Sequence, residues 1–362
     1  MKPVIANSPI LSILSPALRS LLVNRLQKSI NFIEIALPQP PESRLQAATF
    51  EVESENPAPE KMRNFLEIPV KQMNTGTHLQ YVSALAFKLS QFQSLSTQIL
   101  AEQIRANLFE QQQTVKIDTS SERVWQNFIV KAVEPGWIYL RLTDTGLAEW
   151  LQWAVDWSWR SQPLVTNPSA VNQPARQVNA EMGTHQRLQP IARSPIARSP
   201  IAFEILHAYA RTHSLLMLGK EAHLLESESD ALRELPSDMP RDRFYFTQPI
   251  PWLTAEHTFV AQQPQDWALI GQLCEAMDIL AESPAHPVSS KTMQQTLKVS
   301  YRLSQAFQQF HAACRIFGIE PAVQSSAQRS LAQARLGLVL LTHKVLQELI
   351  ESRLQWVAAL VL

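Results

Sequence analysis

A Pro- and Ser-rich stretch near the middle of the chain limits what this protein can fold into. Between Ser161 and Pro200 the sequence is dominated by Pro, Ser, Gln, Asn and Arg, and the residues Ile-Ala-Arg-Ser-Pro at 191–195 are repeated at once at 196–200. Such a composition offers too little apolar surface to form a core. We therefore predict an extended linker over 161–202, which separates one domain at 1–160 from a second at 203–362.

The first domain mixes two kinds of apolar periodicity. Short alternating runs predict strands, apolar residues at helical spacing predict helices, and Glu134-Pro135-Gly136 predicts a turn between two strands. The predicted strands are 31–37, 65–69, 128–133 and 137–142, and the predicted helices are 81–89 and 94–108. This pattern is typical of an α+β domain with helices on a small antiparallel sheet.

The second domain has helical periodicity throughout. We predict helices at 203–218, 265–281, 293–317 and from 326 to the C-terminus, which together indicate an all-α bundle. In the third helix one apolar stripe recurs at steps of four and three residues, and it predicts a buried face. Its members are Leu303, Phe307, Phe310, Cys314 and Phe317.

Charge and cysteine content exclude several classes of protein. Lys+Arg and Asp+Glu both number 32, so the net charge is zero and any binding of nucleic acid must come from local patches. The two cysteines, Cys274 and Cys314, lack the spacing of a zinc site or a disulfide framework. We expect a cytoplasmic protein, without a signal peptide or a membrane segment.

The sequence contains no recognisable catalytic motif. Its 8 glycines are not clustered, so no loop can surround a nucleotide's phosphates with backbone N–H groups. Motifs that hold zinc or a nucleophilic serine do not occur either. We therefore expect no catalytic residues, no cofactor and no bound metal.

Two features could instead contact nucleic acid. His207 and Arg211 lie four residues apart, on one face of a predicted helix, and could stack on a base and bind a phosphate; a solvated helix face explains the spacing equally well. Trp150, Trp153 and Trp157 form an aromatic ridge, for which packing against the sheet is the better explanation and base stacking the weaker one.

Segments of both domains resemble arginyl-tRNA synthetases. The residues Phe-Glu-Ile-Leu-His-Ala-Tyr-Ala-Arg at 203–211 are similar to that family's Tyr-Ala-His-Ala-Arg helix. The segment 306–315 resembles its Ala-Phe-x-x-Phe-Tyr-x-x-Cys-Arg pattern, and 334–339 resembles its closing Arg-Leu-x-Leu helix. Together these segments resemble the DALR anticodon-binding domain, which is a helical bundle.

The first domain resembles the N-terminal additional domain of the same enzymes. The similarity lies in 80–89 and in Glu-Pro-Gly-Trp-Ile-Tyr-Leu at 134–140, where the family has Gly-Pro-Gly-Phe-Ile-Asn-Ile. Between the two domains the family would place a Rossmann-type catalytic domain with a His-x-Gly-His signature, and this chain has the linker there.

The resemblance implies which residues would contact tRNA. By position, the family's anticodon contacts fall on His207, Arg211 and His311, with Arg315 close by. Histidine stands at both positions where the family has tyrosine, and it can still stack and form hydrogen bonds.

These observations support three hypotheses about function. The first is a non-catalytic synthetase paralogue that binds tRNA, with the N-terminal domain bracing the tRNA elbow. In its more specific version this hypothesis names tRNA-Arg as the tRNA. The second is an interaction module without RNA, whose partner would be a protein such as a full-length synthetase, bound through the tryptophan ridge or the C-terminal helix. The third is an arginine-tRNA ligase whose catalysis is supplied by a partner.

Overall fold

The computed structural model describes residues 15–32, 68–74, 76–157, 199–227, 244–282, 290–317 and 325–356. These residues divide into two compact units. The first comprises residues up to Leu151 together with Leu253–Phe259, and the second comprises Gln152–Trp252 and Val260 onward. Of the linker predicted over 161–202, only residues 199–202 lie within the described residues.

The first unit is an α+β fold, as its periodicity predicts. Its elements follow one another in the order α1 (Leu18–Phe32), β1 (Val70–Asn74), β2 (Leu79–Ser83), α2 (Leu85–Leu89), α3 (Thr97–Thr114), α4 (Ser120–Gln126), β3 (Phe128–Val133), β4 (Trp137–Leu142) and α5 (Asp144–Asp156). Helix α5 continues across the boundary between the units.

The four strands form one antiparallel sheet in the order β1-β2-β4-β3. Along β4, Ile138, Leu140 and Leu142 are buried beneath the helices, whereas Trp137 and Tyr139 lie on the opposite face. The turn at 134–136 joins β3 to β4 as predicted, and Gly136 has a φ of 138°, a backbone conformation that favours glycine.

The predicted helix over 81–89 is wrong in its first half. Residues Leu79–Ser83 form β2, a central strand paired on both sides, and helix α2 begins only at Leu85. The burial of Leu79, Tyr81 and Ser83 has a period of two, which the apolar run that follows conceals. The Ser83 hydroxyl then accepts a hydrogen bond from the Leu85 backbone N–H, and this contact marks the change from strand to helix.

The first two predicted strands also need correction. Asn31 and Phe32 end helix α1, so the strand predicted over 31–37 is wrong at its start, and residues 33–37 lie outside the described residues. Of the strand predicted over 65–69, only 68 and 69 are described, and they are irregular; the strand β1 begins at Val70. The helix predicted over 94–108 is confirmed as α3, with Ser96 capping its N-terminus.

The second unit is helical, also as predicted. Its helices are α6 (Pro200–Glu221), α7 (Pro264–Ala281), α8 (Ser290–Ala313) and α9 (Ser326–Glu348), and one π-helical turn follows at Leu349–Arg353. A two-stranded ladder of β5 (Glu226–Ser227) and β6 (Phe244–Tyr245) completes the described elements. Helix α8 packs against α7 and α6, and α9 packs against α6 and α7.

The apolar stripe of α8 is buried with one exception. Leu303, Phe307, Phe310 and Cys314 are all at most 2% exposed, but Phe317 is half-buried and Ile316 is buried instead. The reason is that α8 ends at Ala313, four residues before the predicted end, so the helical phase is lost beyond Cys314.

Candidate functional site

Helix α6 carries an exposed row of side chains. Phe203, His207 and Arg211 recur every four residues and are all exposed, while Ile205, Tyr209 and other residues of the opposite face are buried. Ser199 caps the helix by accepting a hydrogen bond from the Ala202 N–H, and Pro200 occupies the first turn. The row therefore stands on a well-defined helix rather than on a loop.

Helix α8 presents a second aromatic row to the first. Its Phe307 ring is fully buried, and His311, one turn further on, is half-buried with its ring centroid 6.3 Å from that of Phe307. The Arg211 guanidinium reaches across from α6, with Nη2 at 3.3 Å from His311 Nε2. A groove of about 310 Å³ lies between the two helices, lined by His207, Arg211, Phe307, Gln308 and His311.

The Arg211 contact defines the protonation state of His311. Burial lowers the pKa of the His311 imidazole below 6.5, and the positive charge of Arg211 lowers it further. Arginine can only donate, so Nε2 of His311 must be the acceptor and the ring must be neutral, with its proton on Nδ1. The groove thus contains one guanidinium cation beside a neutral imidazole.

Three of the four residues predicted to contact tRNA lie together, and the fourth lies apart. Arg315 follows the end of α8, its side chain is exposed, and it is not among the groove's lining residues. Its backbone carbonyl accepts a hydrogen bond of 2.9 Å from Arg335 Nη1. The role of all four residues in RNA binding remains a prediction.

The prediction from sequence omitted Phe203. Its side chain is 58% exposed and its ring is stacked on that of His207, with centroids 5.9 Å apart and planes 19° from parallel. Phe203 thus extends the exposed row of His207 and Arg211 by one helical turn. The signal was available, because Phe203 precedes His207 by the same four residues that separate His207 from Arg211.

A buried ion pair holds the framework that carries the groove. Asp266, in the first turn of α7, is 0% exposed, and Arg335 of α9 is 4% exposed. Arg335 Nε and Nη2 each lie 3.3 Å from one carboxylate oxygen of Asp266, and Nη1 holds the Arg315 carbonyl. One guanidinium therefore ties together the start of α7, the middle of α9 and the end of α8.

Cys314 belongs to the same buried region. Burial, and after it the negative charge of Asp266, raise the pKa of the Cys314 thiol to about 12. The thiol donates to Gln263 Oε1 at 3.5 Å. Cys274 is also buried, at 1% exposed, so both cysteines occupy the core.

A second histidine cluster lies on the buried face of α6. His343 of α9 stacks on Tyr209 with centroids 4.6 Å apart, and its Nδ1 is 3.0 Å from the Thr212 hydroxyl. His343 is 7% exposed and Thr212 is 0% exposed. Because these groups bond to one another inside the core, they join α6 to α9 rather than face a ligand.

The tryptophan ridge is buried only in part. Trp150 is 0% exposed, and its indole N–H donates to the Pro16 carbonyl at 2.7 Å. Trp153 and Trp157 are half-buried and meet edge to face, with centroids 6.3 Å apart.

The helix predicted to run from 326 to the C-terminus ends at Glu348. Trp356 beyond it is 8% exposed, and residues 357–362 lie outside the described residues.

The described ranges contain neither a metal-binding cluster nor a membrane-spanning helix. Within them, no three His, Cys, Asp or Glu side chains are grouped so that they could hold a metal ion. None of the helices in those ranges combines the length and the apolar character needed to cross a bilayer.

Comparison with known proteins identifies the helical part. Residues 205–351 match the family model of the DALR anticodon binding domain, a domain typical of arginyl-tRNA synthetase and related synthetases. This match spans α6 to the π-helical turn and includes all the residues of the groove, but it covers less than half of the chain. No curated protein and no solved structure matches the chain.

Proposed function

We propose that the chain is a non-catalytic, cytoplasmic relative of arginyl-tRNA synthetase that binds tRNA, and specifically tRNA-Arg, through the groove between α6 and α8. The DALR match supports tRNA binding in general. The observation that carries the proposal is the meeting of His207, Arg211 and His311 from two helices at one groove. Arg315 would contact the RNA backbone from outside the groove.

The chemistry of the groove suits an unpaired nucleotide. Phe203 and His207 already form an exposed stack on which a base could add, and base stacking on such rings is worth about 1–3 kcal/mol. Arg211 supplies a cation for a phosphate, and the neutral His311 can exchange hydrogen bonds with a base edge. The five described residues that line the groove include no carboxylate to repel RNA.

The N-terminal unit would brace the tRNA at its elbow. One face of its sheet carries Trp137, which is 37% exposed, and next to it on the same strand the half-buried Tyr139 and Arg141. Trp137 is steadied by the Phe87 ring, with centroids 5.0 Å apart. Aromatic and cationic side chains on an antiparallel sheet are a recurring means of holding RNA.

Salt dependence of tRNA binding by the full chain tests the proposal. If Arg211 contacts a phosphate, Arg211→Ala weakens binding about ten-fold and reduces the slope of log affinity against log salt by about 0.7 to 0.9. Arg302→Ala is the matched control, because Arg302 lies on α8 nine residues before His311 and hence on the opposite face, where it pairs with Glu275 at 3.1 Å.

Two further comparisons separate the hypotheses. Equal affinity for tRNA-Arg and for unrelated tRNAs would contradict the proposed specificity for tRNA-Arg. An equal loss of tRNA affinity in Arg211→Ala and Arg302→Ala would contradict the α6–α8 groove as the binding site. The zero net charge favours the alternative, a module that binds a protein such as a full-length synthetase, and that association would be insensitive to salt. Arginine-dependent exchange between ATP and pyrophosphate would refute a non-catalytic role.

A further inference from the structure

Strand β3 lies at one edge of the sheet in the first unit. Two hydrogen bonds define which way its backbone groups point: Thr143 N–H donates to the Asn127 carbonyl, and Gly136 N–H donates to the Val133 carbonyl. Since antiparallel strands alternate, residues 127, 129, 131 and 133 face β4, whereas 128, 130 and 132 point outward. The Phe128 carbonyl is indeed taken by a side chain on the outer side, Gln112 Nε2, at 2.8 Å.

The outward groups of the next two alternate residues are open. Val130 and Ala132 are half-buried, and over the residues that the structure describes, their outward N–H and C=O groups meet no hydrogen-bond partner. An edge with such groups is a template for another strand. Because Gln112 blocks the edge at Phe128, an added strand would pair from Val130 toward the turn.

A groove runs beside this edge. It has a volume of about 580 Å³ and lies between β3 and helix α3. Phe109 of α3 forms an apolar wall that is 56% exposed, while Val130 lines the side of the strand. Side chains at alternate positions of an added strand would point into this groove and cover the Phe109 ring.

The positive charge of Lys131 favours a partner strand with an acidic side chain opposite it. It is exposed on the other face of the sheet, between Val130 and Ala132, so an added strand would place one side chain directly opposite it. A second copy of this chain pairing through the same two residues would set Lys131 against Lys131, which is unfavourable. A partner strand with Asp or Glu at that position would instead be attracted.

We propose that the β3 edge binds an extended segment of a partner protein as a fifth strand, with apolar side chains in the groove beside Phe109 and an acidic side chain opposite Lys131. The surface lies on the first unit and involves none of the residues of the α6–α8 groove. Lys131 pairs with Tyr139 on the face that would brace the tRNA elbow, so peptide binding is measured without tRNA, and either proposal can then fail without the other.

A designed peptide tests this surface with the full chain. The probe is the capped pentapeptide Thr-Val-Glu-Val-Thr with a fluorescent label, which we expect to pair antiparallel to β3, so that its two valine N–H groups point at that strand. We expect saturable binding and slowed amide hydrogen exchange in the segment containing Val130 and Ala132. Methylation of the two valine nitrogens removes the donors of the new ladder and should weaken binding about ten-fold or more.

Charge reversal supplies the matched controls. Replacing the peptide's glutamate by lysine should weaken binding about three- to ten-fold, and Lys131→Glu in the protein should reverse that preference. Lys71→Glu on β1, at the other edge of the sheet, should leave the affinities for the glutamate peptide and for the lysine peptide unchanged. Equal binding of the methylated peptide, protection confined to other segments, or no saturable binding would overturn the proposal.

Discussion

Replacing Arg335 by methionine should destabilise the helical unit more than any exposed arginine substitution does. The change keeps most of the side-chain volume but removes the guanidinium that bonds both oxygens of Asp266 and the Arg315 carbonyl. Asp266 is 0% exposed, so its carboxylate would remain in the core without its cation. The carboxylate would keep its hydrogen bond from the Gln263 N–H, at 2.9 Å.

Breaking a buried ion pair from one side costs about 3–5 kcal/mol, and we expect the lower part of that range because the Gln263 bond survives. The measurement is guanidinium unfolding of the full chain followed by helical circular dichroism. Arg302→Met is the control: Arg302 and its partner Glu275 are 45% and 36% exposed, and such a pair contributes about 0–1 kcal/mol.

The double variant Asp266→Asn with Arg335→Met refines the test. It removes both charges, so it should recover part of the stability that Arg335→Met loses. If Arg335→Met and Arg302→Met lower the free energy of unfolding by the same amount, the Asp266–Arg335 pair does not stabilise the core as inferred.

Two further predictions concern titratable side chains. Cys314, whose thiol has a pKa of about 12, should resist alkylation in the folded protein and react on unfolding; rapid labelling of the native chain, followed by mass spectrometry, would contradict its burial. The pKa of His311, read from its imidazole NMR signals, should lie below 6.5 and rise in Arg211→Gln, because one of its two causes is removed; no rise would contradict the contact. Since folding lowers this pKa, the stability it contributes is present above about pH 6.5 and is lost as the pH falls through the folded value.

Local sequence patterns determined most of the elements. Helices α6 and α7 follow from long 3.6-residue periodicity, and the Glu134-Pro135-Gly136 turn between two alternating runs determined the β3–β4 hairpin. The same periodicity put His207 and Arg211 on one face of a helix, because residues four apart are always neighbours there. These features depend on interactions within a few residues, and such interactions can be inferred without knowing the rest of the chain.

Tertiary structure decided the remainder. Leu79–Ser83 became a strand because β1 and β4 pair with it from both sides, which outweighs the helical pattern of the following residues. His311 meets Arg211, and Asp266 meets Arg335, across 100 and 69 residues of sequence respectively. No local periodicity encodes such contacts, since they depend on how the helices pack. The sequence could therefore nominate the groove's residues, but only packing brought His311 to Arg211 and left Arg315 outside.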